Sequence, residues 1–329
     1  MTLLLSDNDV ANLVDPLELI KSIESSLIEE SAGGAVIPRR VNIDANGTLF
    51  RIGPAFLPGS GFMGFKAFHG RQGDVVRYVV CLYDEARGDL LAIMDANNLT
   101  AARTGAVTGL ATNYLASRRA RSVGIIGAGA EARTNLAAIA AVRSIDAVRV
   151  YSPRTASRQN FARYVEETIG IECRAVDTPQ KAVFDAEIVV VATNTRGASD
   201  PIAYRGAWMR PGQHINSIGS TNLALREIDP AAFARPDVVV VDTADMVLEE
   251  SADVLAAVAE GSYPDVVELK DVIGGAAVGR DDTDETMVTL FKSVGTGGQD
   301  VAAAAVVYRK ALETGHGQDL GEVLVAKNF

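Results

Sequence analysis

One stretch decides the fold of this chain: Gly124-Ile125-Ile126-Gly127-Ala128-Gly129-Ala130-Glu131-Ala132. It follows a short apolar run at residues 123–126 and precedes a helical stretch at residues 133–142, so it reads G-x-G-x-x-A between a strand and a helix. In this pattern the first glycine permits a tight turn, the second lets the backbone approach a pyrophosphate, and the small third residue allows close helix packing. The phosphates of a dinucleotide then lie at the amino end of the helix, where free N–H groups and the helix dipole favour anions.

The chain after this motif keeps alternating between strand and helix. Short apolar runs recur at residues 148–151, 188–192, 214–218 and 238–242, and helical stretches separate most of them. Such alternation predicts a parallel sheet with helices on both faces, which makes this region a Rossmann-type, doubly wound α/β domain. Because ligands of these sheets bind at the carboxyl ends of the strands, we expect the turns that follow them to line the cofactor.

The first third of the chain has a different texture. Asp15-Pro16 opens a helix, because Asp is a favoured N-cap and Pro fits the first helical position. Asn46-Gly47 lies between short alternating runs and indicates a hairpin turn. Further strand patterns predict a mostly antiparallel sheet over residues 30–95, followed by a helix at residues 98–117. We place a domain boundary near residue 118, which gives a smaller α+β domain at residues 1–118 and the Rossmann domain at residues 119–299.

The residues after the second Rossmann strand bear on which dinucleotide binds. An acid at this position would select NAD by bonding the ribose 2′-hydroxyl, whereas this chain has hydroxyl groups and two arginines. Arginine binds a 2′-phosphate through charge-assisted hydrogen bonds, so we expect NADP(H). NAD(H) stays the alternative, in which these arginines are solvated residues at the start of a helix. The cofactor-binding residues predicted at strand ends are Gly127, Gly129, Ala130, Glu131, Ala132, Ser152, Arg154, Thr155, Arg158, Thr193, Asn194, Ser217 and Gly219.

Composition narrows the class of function. The net charge of −11 over 329 residues argues against nucleic acid or an anionic membrane as partner, since both require clustered Lys and Arg. No apolar run reaches the ~20 residues of a membrane helix, and the amino terminus lacks a signal-peptide pattern. His69, His214 and His316 lack metal-ligand spacing, so no metal site is expected. We interpret Cys81 and Cys173 as buried free thiols, which fits a cytoplasmic protein.

Several other segments resemble the ornithine cyclodeaminase/mu-crystallin family. They are Gly64-Phe65-Lys66, Leu99-Thr100-Ala101-Ala102-Arg103-Thr104-Gly105-Ala106, Arg226-Glu227-Ile228-Asp229, and Leu290-Phe291-Lys292-Ser293-Val294-Gly295-Thr296 with Gln299-Asp300. They occur in the family's order and spacing over nearly the whole chain. The resemblance implies a homodimer, a central Rossmann domain, and an N-terminal substrate-binding and dimerisation domain to which the C-terminal helix, at about residues 300–329, returns. It also implies hydride transfer between a nicotinamide and the α-carbon of an amino or imino acid.

The same resemblance implies roles for individual residues. Arg103 matches the family arginine that binds the substrate carboxylate, and Lys66 matches the lysine near that carboxylate and the reacting centre; these two are the predicted catalytic residues. Either Arg39 or Arg40 takes the place of a further carboxylate-binding arginine, because strand alternation lets only one of them face the pocket. The segment from Phe291 to Thr296 resembles the family loop beside the nicotinamide. It adds Ser293 and Gly295 to the predicted cofactor-binding residues, together with Thr104.

His69 and Arg71 follow Lys66 closely and are not part of the family pattern. We expect them to read a polar or acidic side chain of the substrate, although a loop position far from the substrate is equally compatible with the sequence. The full set of predicted substrate-binding residues is Arg40, Lys66, His69, Arg71, Arg103, Thr221 and Asn222.

One departure from the family separates its reactions. Cyclodeaminases carry an acid shortly after the strand that ends at Ile218-Gly219, and here Thr221 takes that position. A threonine neither acts as a base near neutral pH nor supplies a negative charge to an ammonium group. We therefore expect an NAD(P)H-dependent reductase of a 2-imino acid to the L-amino acid, with cyclic ketimines and dicarboxylic imines such as iminosuccinate among the candidate substrates. The alternatives are a cyclodeaminase-type lyase with NAD, an opine-type dehydrogenase, and a low-turnover NADPH-binding, crystallin-like protein.

Overall fold

The computed structural model describes residues 1–71 and 75–327. The chain forms two compact units, the first made of Met1–Arg103 and the residues from Gly295 onward, and the second of Thr104–Val294. The division falls inside helix α3 (Asn97–Leu115) and just before helix α11 (Gly297–Thr314). The boundary predicted near residue 118 lies after the end of α3, and the last two residues of the predicted C-terminal segment lie outside the described residues.

The first unit is built on a seven-stranded sheet. Its strands are β1 (Leu3–Leu5), β2 (Val41–Ala45), β3 (Thr48–Leu57), β4 (Phe62–Arg71), β5 (Val76–Asp84), β6 (Leu90–Asp95) and β15 (Gln318–Asp319). The order is β15-β1-β6-β5-β4-β3-β2, and β2 to β6 pair antiparallel, as the sequence predicts. Asn46 and Gly47 both have positive φ, which fits the tight turn expected between β2 and β3.

Helices α1 (Asp7–Leu13), α2 (Pro16–Ser31) and α11 complete this unit together with the start of α3. The predicted start of α2 is confirmed, because the Asp15 side chain accepts a hydrogen bond from the Glu18 N–H and Pro16 is the first helical residue. Helix α11 packs on the face of the sheet that carries Phe62 and Lys66, through a ring contact of Phe62 with Tyr308 and an ion pair of Lys66.

The second unit is a parallel sheet with the order β13-β12-β14-β11-β10-β7-β8-β9. Its strands are β7 (Ser122–Ile126), β8 (Ala147–Tyr151), β9 (Glu172–Ala175), β10 (Ile188–Val191), β11 (His214–Ser217), β12 (Val238–Val241), β13 (Val267–Glu268) and β14 (Thr289–Lys292). Its other helices are α4 (Ala130–Val142), α5 (Thr155–Tyr164), α6 (Pro179–Val183), α7 (Ala231–Ala234), α8 (Ala244–Glu250), α9 (Ala252–Ala259) and α10 (Leu269–Ile273).

The topology confirms the predicted doubly wound fold. From β7 the chain moves outward to β8 and β9, and it then returns to β10 on the other side of β7. The strand order therefore reverses between β7 and β10, and ligands of such sheets bind in the crevice at that point. Alternate residues of β10 enter two different apolar cores, Val189 on one side and Val190 on the other, so both faces of the sheet are covered.

Two expectations, one in each unit, are wrong. Phe291 and Lys292 were expected in a loop, but they lie in β14, between β11 and β12, and both are fully buried. The run is only four residues long and ends in a lysine, so periodicity did not reveal a strand that is covered on both faces. In addition, Cys173 is buried as predicted, whereas Cys81 is only half-buried.

A line of buried polar groups crosses the second unit. The ring nitrogens of His214 lie 2.9 Å from Thr289 Oγ1 and 3.2 Å from Asn216 Oδ1, and Asn216 Nδ2 donates to Thr112 Oγ1 at 3.1 Å. Burial lowers the pKa of His214 to about 3, because the surroundings penalise the charged ring. His214 is therefore neutral in the folded protein at neutral pH.

We expect His214 to make folding stability decline as the pH falls below about 6.5. Its folded-state pKa lies below its unfolded value, so the unfolded chain binds one more proton between these two values. This costs about 1.4 kcal/mol of the free energy of unfolding per pH unit within that window. Urea denaturation between pH 7 and pH 5 measures how the free energy of unfolding depends on pH. His214→Asn should reduce the proton uptake on unfolding by about one proton. Equal slopes in both proteins would contradict the assignment.

Candidate active site

In the first unit, both predicted catalytic residues meet at one carboxylate. Lys66 Nζ lies 2.8 Å from Asp300 Oδ1, and Arg103 Nε lies 2.9 Å from the same oxygen. Lys66 comes from β4, Arg103 from α3 and Asp300 from the first turn of α11, and all three are buried.

Asp300 has no role in the sequence-based prediction. The capping box of Thr296 and Gln299 marks the start of α11 and could have drawn attention to an acid in its first turn.

Gln299 and Gly295 contact the two arginines of this cluster. Arg103 Nη1 donates to Gln299 Oε1 at 3.0 Å, and Arg40 Nη2 donates to the carbonyl oxygen of Gly295. Gly295 has a φ of 78°, and a Cβ at this position would lie 2.3 Å from Arg103 Nη1. Only glycine fits there, for both reasons. Arg40 is buried and Arg39 is exposed, so Arg40 is the inward member of the pair.

Burial and charge set the protonation of the pair formed by Lys66 and Asp300. Burial lowers the pKa of Lys66 to about 7; the negative charge of Asp300 opposes this shift, and the positive charges of Arg103 and Arg40 add to it. Burial acts to raise the pKa of Asp300, but the charges of Lys66 and Arg103 outweigh burial and hold this pKa below its usual range. Asp300 Oδ2 has no hydrogen-bond partner within residues 1–71 and 75–327. An ionised carboxylate thus lies beside an amine that exchanges its proton near neutral pH, as a general acid or base requires.

His69 and Arg71 are not brought together with Lys66. Successive side chains of a strand point to opposite faces, so Lys66 and Phe68 share one face of β4, whereas His69 and Arg71 lie on the other. The ring centroids of Phe68 and Tyr78 both lie 5.8 Å from Lys66 Nζ, while His69 and Arg71 are exposed. The expected contact of these two residues with a substrate held by Lys66 therefore has no geometric support.

In the second unit, the predicted dinucleotide turn lies where the strand order reverses. Gly127 has a φ of 119°, and a Cβ there would lie 2.1 Å from the carbonyl oxygen of Ala192, at the end of β10. Gly129 is the N-cap of α4, where a Cβ would meet nothing within 4 Å and no side chain caps the helix. Ala132 is fully buried. The turn thus leaves the amino end of α4 accessible, which fits a bound pyrophosphate.

The predicted ribose-binding residues after β8 differ in their exposure. Ser152 is buried, and Arg154 and Thr155 are exposed at the start of α5. Arg158 Nη1 donates to the carbonyl oxygen of Ser152 at 2.8 Å, so this arginine braces the turn. Of the two arginines, Arg154 is exposed and Arg158 is half-buried. Ala130 is exposed and Glu131 half-buried in the neighbouring first turn of α4.

The remaining predicted residues are divided between accessible and buried positions. Because the strands are parallel, the residues after β10, β11 and β14 share the edge that carries the dinucleotide turn. Asn194 is exposed and Thr221 and Asn222 are half-buried, with the Asn222 side chain accepting from the N–H of Ala224 at 2.9 Å. The buried or hydrogen-bonded members of the set are Thr104, Thr193, Ser217, Gly219 and Ser293.

Within residues 1–71 and 75–327, no group of three or more His, Cys, Asp or Glu side chains is placed to hold a metal ion. Over the same residues, no helix combines the length and the apolar character needed to cross a bilayer.

Comparisons with known proteins place this geometry in a family. The family model for the ornithine cyclodeaminase/mu-crystallin family matches residues 1–315. A Δ1-pyrroline-2-carboxylate reductase of Bacillus cereus is 32% identical over 97% of this chain and 99% of its own length. The structure of Thermococcus litoralis Δ1-pyrroline-2-carboxylate reductase with NADH and L-proline has a TM-score of 0.89 and 33% identity over 97% of this chain and all of that one. An archaeal alanine dehydrogenase dimer with bound NAD has a TM-score of 0.86 and 29% identity, covering 96% of this chain and 98% of that one. The chain therefore belongs to the ornithine cyclodeaminase/mu-crystallin family.

Proposed function

We propose that this protein is an oxidoreductase that reduces the C=N bond of a 2-imino acid with a nicotinamide dinucleotide. The observation that carries the proposal is the buried cluster of Lys66, Arg103 and Asp300, with Arg40 beside it. Proteins that are similar over 96–97% of the chain are reductases of a cyclic imino acid and an amino-acid dehydrogenase, which supports the reaction class. The presence of Thr221 where cyclodeaminases have an acid disfavours a lyase.

The cluster offers groups that can bind the substrate carboxylate and donate a proton. Arg103 and Arg40 supply the positive charge that holds the substrate carboxylate, and Asp300 orients Lys66 through their ion pair. Lys66, with its pKa lowered to about 7, donates a proton to the imine nitrogen, and the resulting iminium carbon is the better acceptor for the hydride. A bound nicotinamide dinucleotide supplies the hydride. Residues of the turn from Gly127 to Ala132 would hold its pyrophosphate.

The direct test follows the absorbance of NADPH and NADH with preformed cyclic imines, and with a panel of 2-oxo acids in the presence of ammonium or methylamine. Oxidation of the dinucleotide by a 2-oxo acid only when the amine is present would establish imine reduction and identify the substrate. If no imine is reduced, the proposal fails. Ammonia release from ornithine with NAD, without a net absorbance change, would instead show a cyclodeaminase.

NADPH is the proposed cofactor, and Arg154 is the residue that supports it. This arginine is exposed at the end of β8, where the 2′-group of the ribose is read. We expect Arg154→Asp to lower kcat/KM for NADPH by roughly 10- to 100-fold, because a carboxylate repels the 2′-phosphate and loses a charge-assisted bond. NADH kinetics should change far less. Arg163→Asp, at an exposed position of α5, serves as control. Equal decreases of kcat/KM with NADPH and NADH in Arg154→Asp would contradict the assignment.

A homodimer is proposed from the second face of the first unit's sheet. Opposite the α11 side, strands β2 to β5 carry half-buried or exposed apolar side chains. Among them, Ile43 is 49% exposed and Phe50 is 39% exposed, and Phe65 packs near Tyr83. A sheet face with several exposed apolar side chains indicates an interaction surface. We propose that a second copy of the chain binds there.

Sedimentation equilibrium tests the dimer directly. We expect the wild-type protein to sediment at twice its monomer mass and Phe65→Glu to shift it to monomer, because burying an unpaired carboxylate costs several kcal/mol. Leu248→Glu, an exposed position of the second unit, is the matched control. A wild-type protein that sediments at the monomer mass would contradict this proposal.

A further inference from the structure

A buried acid connects the loops that leave the central strands of the second unit. Glu227 lies in the segment Arg226-Glu227-Ile228-Asp229, which carries part of the family resemblance but has no role in the mechanism above. The residue is 1% exposed. Its Oε1 accepts hydrogen bonds from Ser217 Oγ at 2.8 Å and from the Gly219 N–H at 2.7 Å. Its Oε2 accepts from the N–H and the hydroxyl of Thr193, at 3.2 and 3.0 Å.

These donors come from two neighbouring loops and from Ser217, the last residue of β11. Thr193 follows β10, and Gly219 follows β11. A Cβ on Gly219 would lie 2.3 Å from Glu227 Oε2 and 2.4 Å from the carbonyl oxygen of Thr193, so the two loops and the carboxylate are in direct contact. One carboxylate therefore fixes the spacing of both loops, because each of its oxygens serves one of them.

The loop held through Thr193 is also the one that supports the dinucleotide turn. Ala192 precedes Thr193, and its N–H donates to the carbonyl oxygen of Ile126 at 2.9 Å. The carbonyl oxygen of Ala192 lies where a Cβ of Gly127 would have to be. A displacement of Thr193 would thus be passed to Gly127, at the crevice where the strand order reverses.

A buried cation and a second acid keep Glu227 in place. Lys292 Nζ lies 3.2 Å from Ser217 Oγ and 3.8 Å from Glu227 Oε1. Asp253 Oδ1 accepts from the backbone N–H of Glu227 at 2.9 Å, and its Oδ2 lies 3.8 Å from Lys292 Nζ. A buried ion cluster is a weak source of stability, since desolvation offsets much of the attraction between its charges. The cluster therefore matters more for the positions of the two loops than for the stability of the fold.

We propose that Glu227 is a positioning residue for the dinucleotide: it holds the loops after β10 and β11 in the arrangement that the cofactor requires, without touching the cofactor. This inference rests on the proposed function. Glutamine at this position has nearly the same shape but only one accepting end. The donors of one loop would then face an NH2 group, and buried donors without an acceptor are costly, so that loop would leave its place.

The test compares dinucleotide affinity with imino-acid kinetics in Glu227→Gln. We expect the Kd for NADPH, measured by fluorescence titration, to rise about tenfold, whereas KM for the imino acid at saturating dinucleotide changes less than about twofold. Ser217→Ala removes one donor to Glu227, together with the hydroxyl that accepts from Lys292, without opening a cavity. It should raise the Kd about threefold, which keeps the test valid if Glu227→Gln does not fold. Ile188→Ala is the stability control, because Ile188 is fully buried at the opposite end of β10.

The outcomes separate this inference from the proposed function. An unchanged Kd in Glu227→Gln and Ser217→Ala would overturn the positioning role and leave imine reduction intact. A Kd that rises equally in Ile188→Ala, at the same loss of melting temperature, would also overturn it, because general destabilisation would then explain the effect. If the wild-type protein binds neither NADPH nor NADH, both the proposed function and this inference are wrong.

Discussion

Replacing Lys66 by methionine is expected to lower kcat for imine reduction by roughly 10²- to 10⁴-fold, the range for loss of a general acid. Methionine has similar length and suits a buried site, so the fold should tolerate the change. The substitution removes the amine of the cluster, whose pKa lies near neutrality, at about 7. Steady-state rates with saturating dinucleotide measure the loss, and Lys21→Met, at an exposed position of α2, is the matched control.

The pH dependence of the wild-type enzyme gives an independent check on Lys66. Reduction needs the protonated amine, so kcat/KM for the imino acid should decline as the pH rises through about 7. Oxidation of the amino acid needs the neutral amine, and its rate should rise through the same range. Lys66→Arg keeps the charge but not a proton that is exchanged near neutrality, so it should abolish this inflection. An inflection near pH 7 that persists in Lys66→Arg would assign it to another group.

Replacing Arg103 by leucine is the second change with a large expected effect. The guanidinium is buried and bonded to Gln299 and Asp300, so its loss leaves Asp300 with Lys66 as the remaining cation of this ion pair. Loss of a buried charged contact costs about 2–5 kcal/mol, which corresponds to a decrease in kcat/KM of roughly 30-fold to several thousand-fold. We expect most of it in KM for the imino acid, because Arg103 holds a carboxylate that is charged in substrate and transition state alike.

Two controls define the result for Arg103. Arg87→Leu removes a guanidinium whose side chain is 68% exposed in a turn of the same unit and should leave kinetics unchanged. Arg103→Lys keeps the charge but loses the planar fork, and it should recover only part of the activity. The Kd for the dinucleotide should stay within about twofold in every variant, since Arg103 is assigned to the imino acid alone. Unchanged KM in Arg103→Leu would refute the carboxylate-binding role.

Several features of this protein were determined by the sequence itself. The glycine turn that begins at Gly127 predicted a strand, a tight turn and a helix in succession, and the strand–helix alternation after it predicted the parallel sheet. Local chemistry likewise predicted the start of α2 at Asp15 and the hairpin turn at Asn46. These signals act over a few residues, so they can be read without knowledge of the rest of the fold.

Other features were decided only by the tertiary structure. The alternation of β4 separated His69 and Arg71 from Lys66, although all three lie within six residues. Burial on both faces made residues 289–292 a strand in spite of a terminal lysine, because distant acids in the fold compensate that charge. Asp300 and Glu227 acquire their partners from segments far away along the chain. Long-range contacts of this kind depend on where whole elements pack, and no local pattern of residues specifies that.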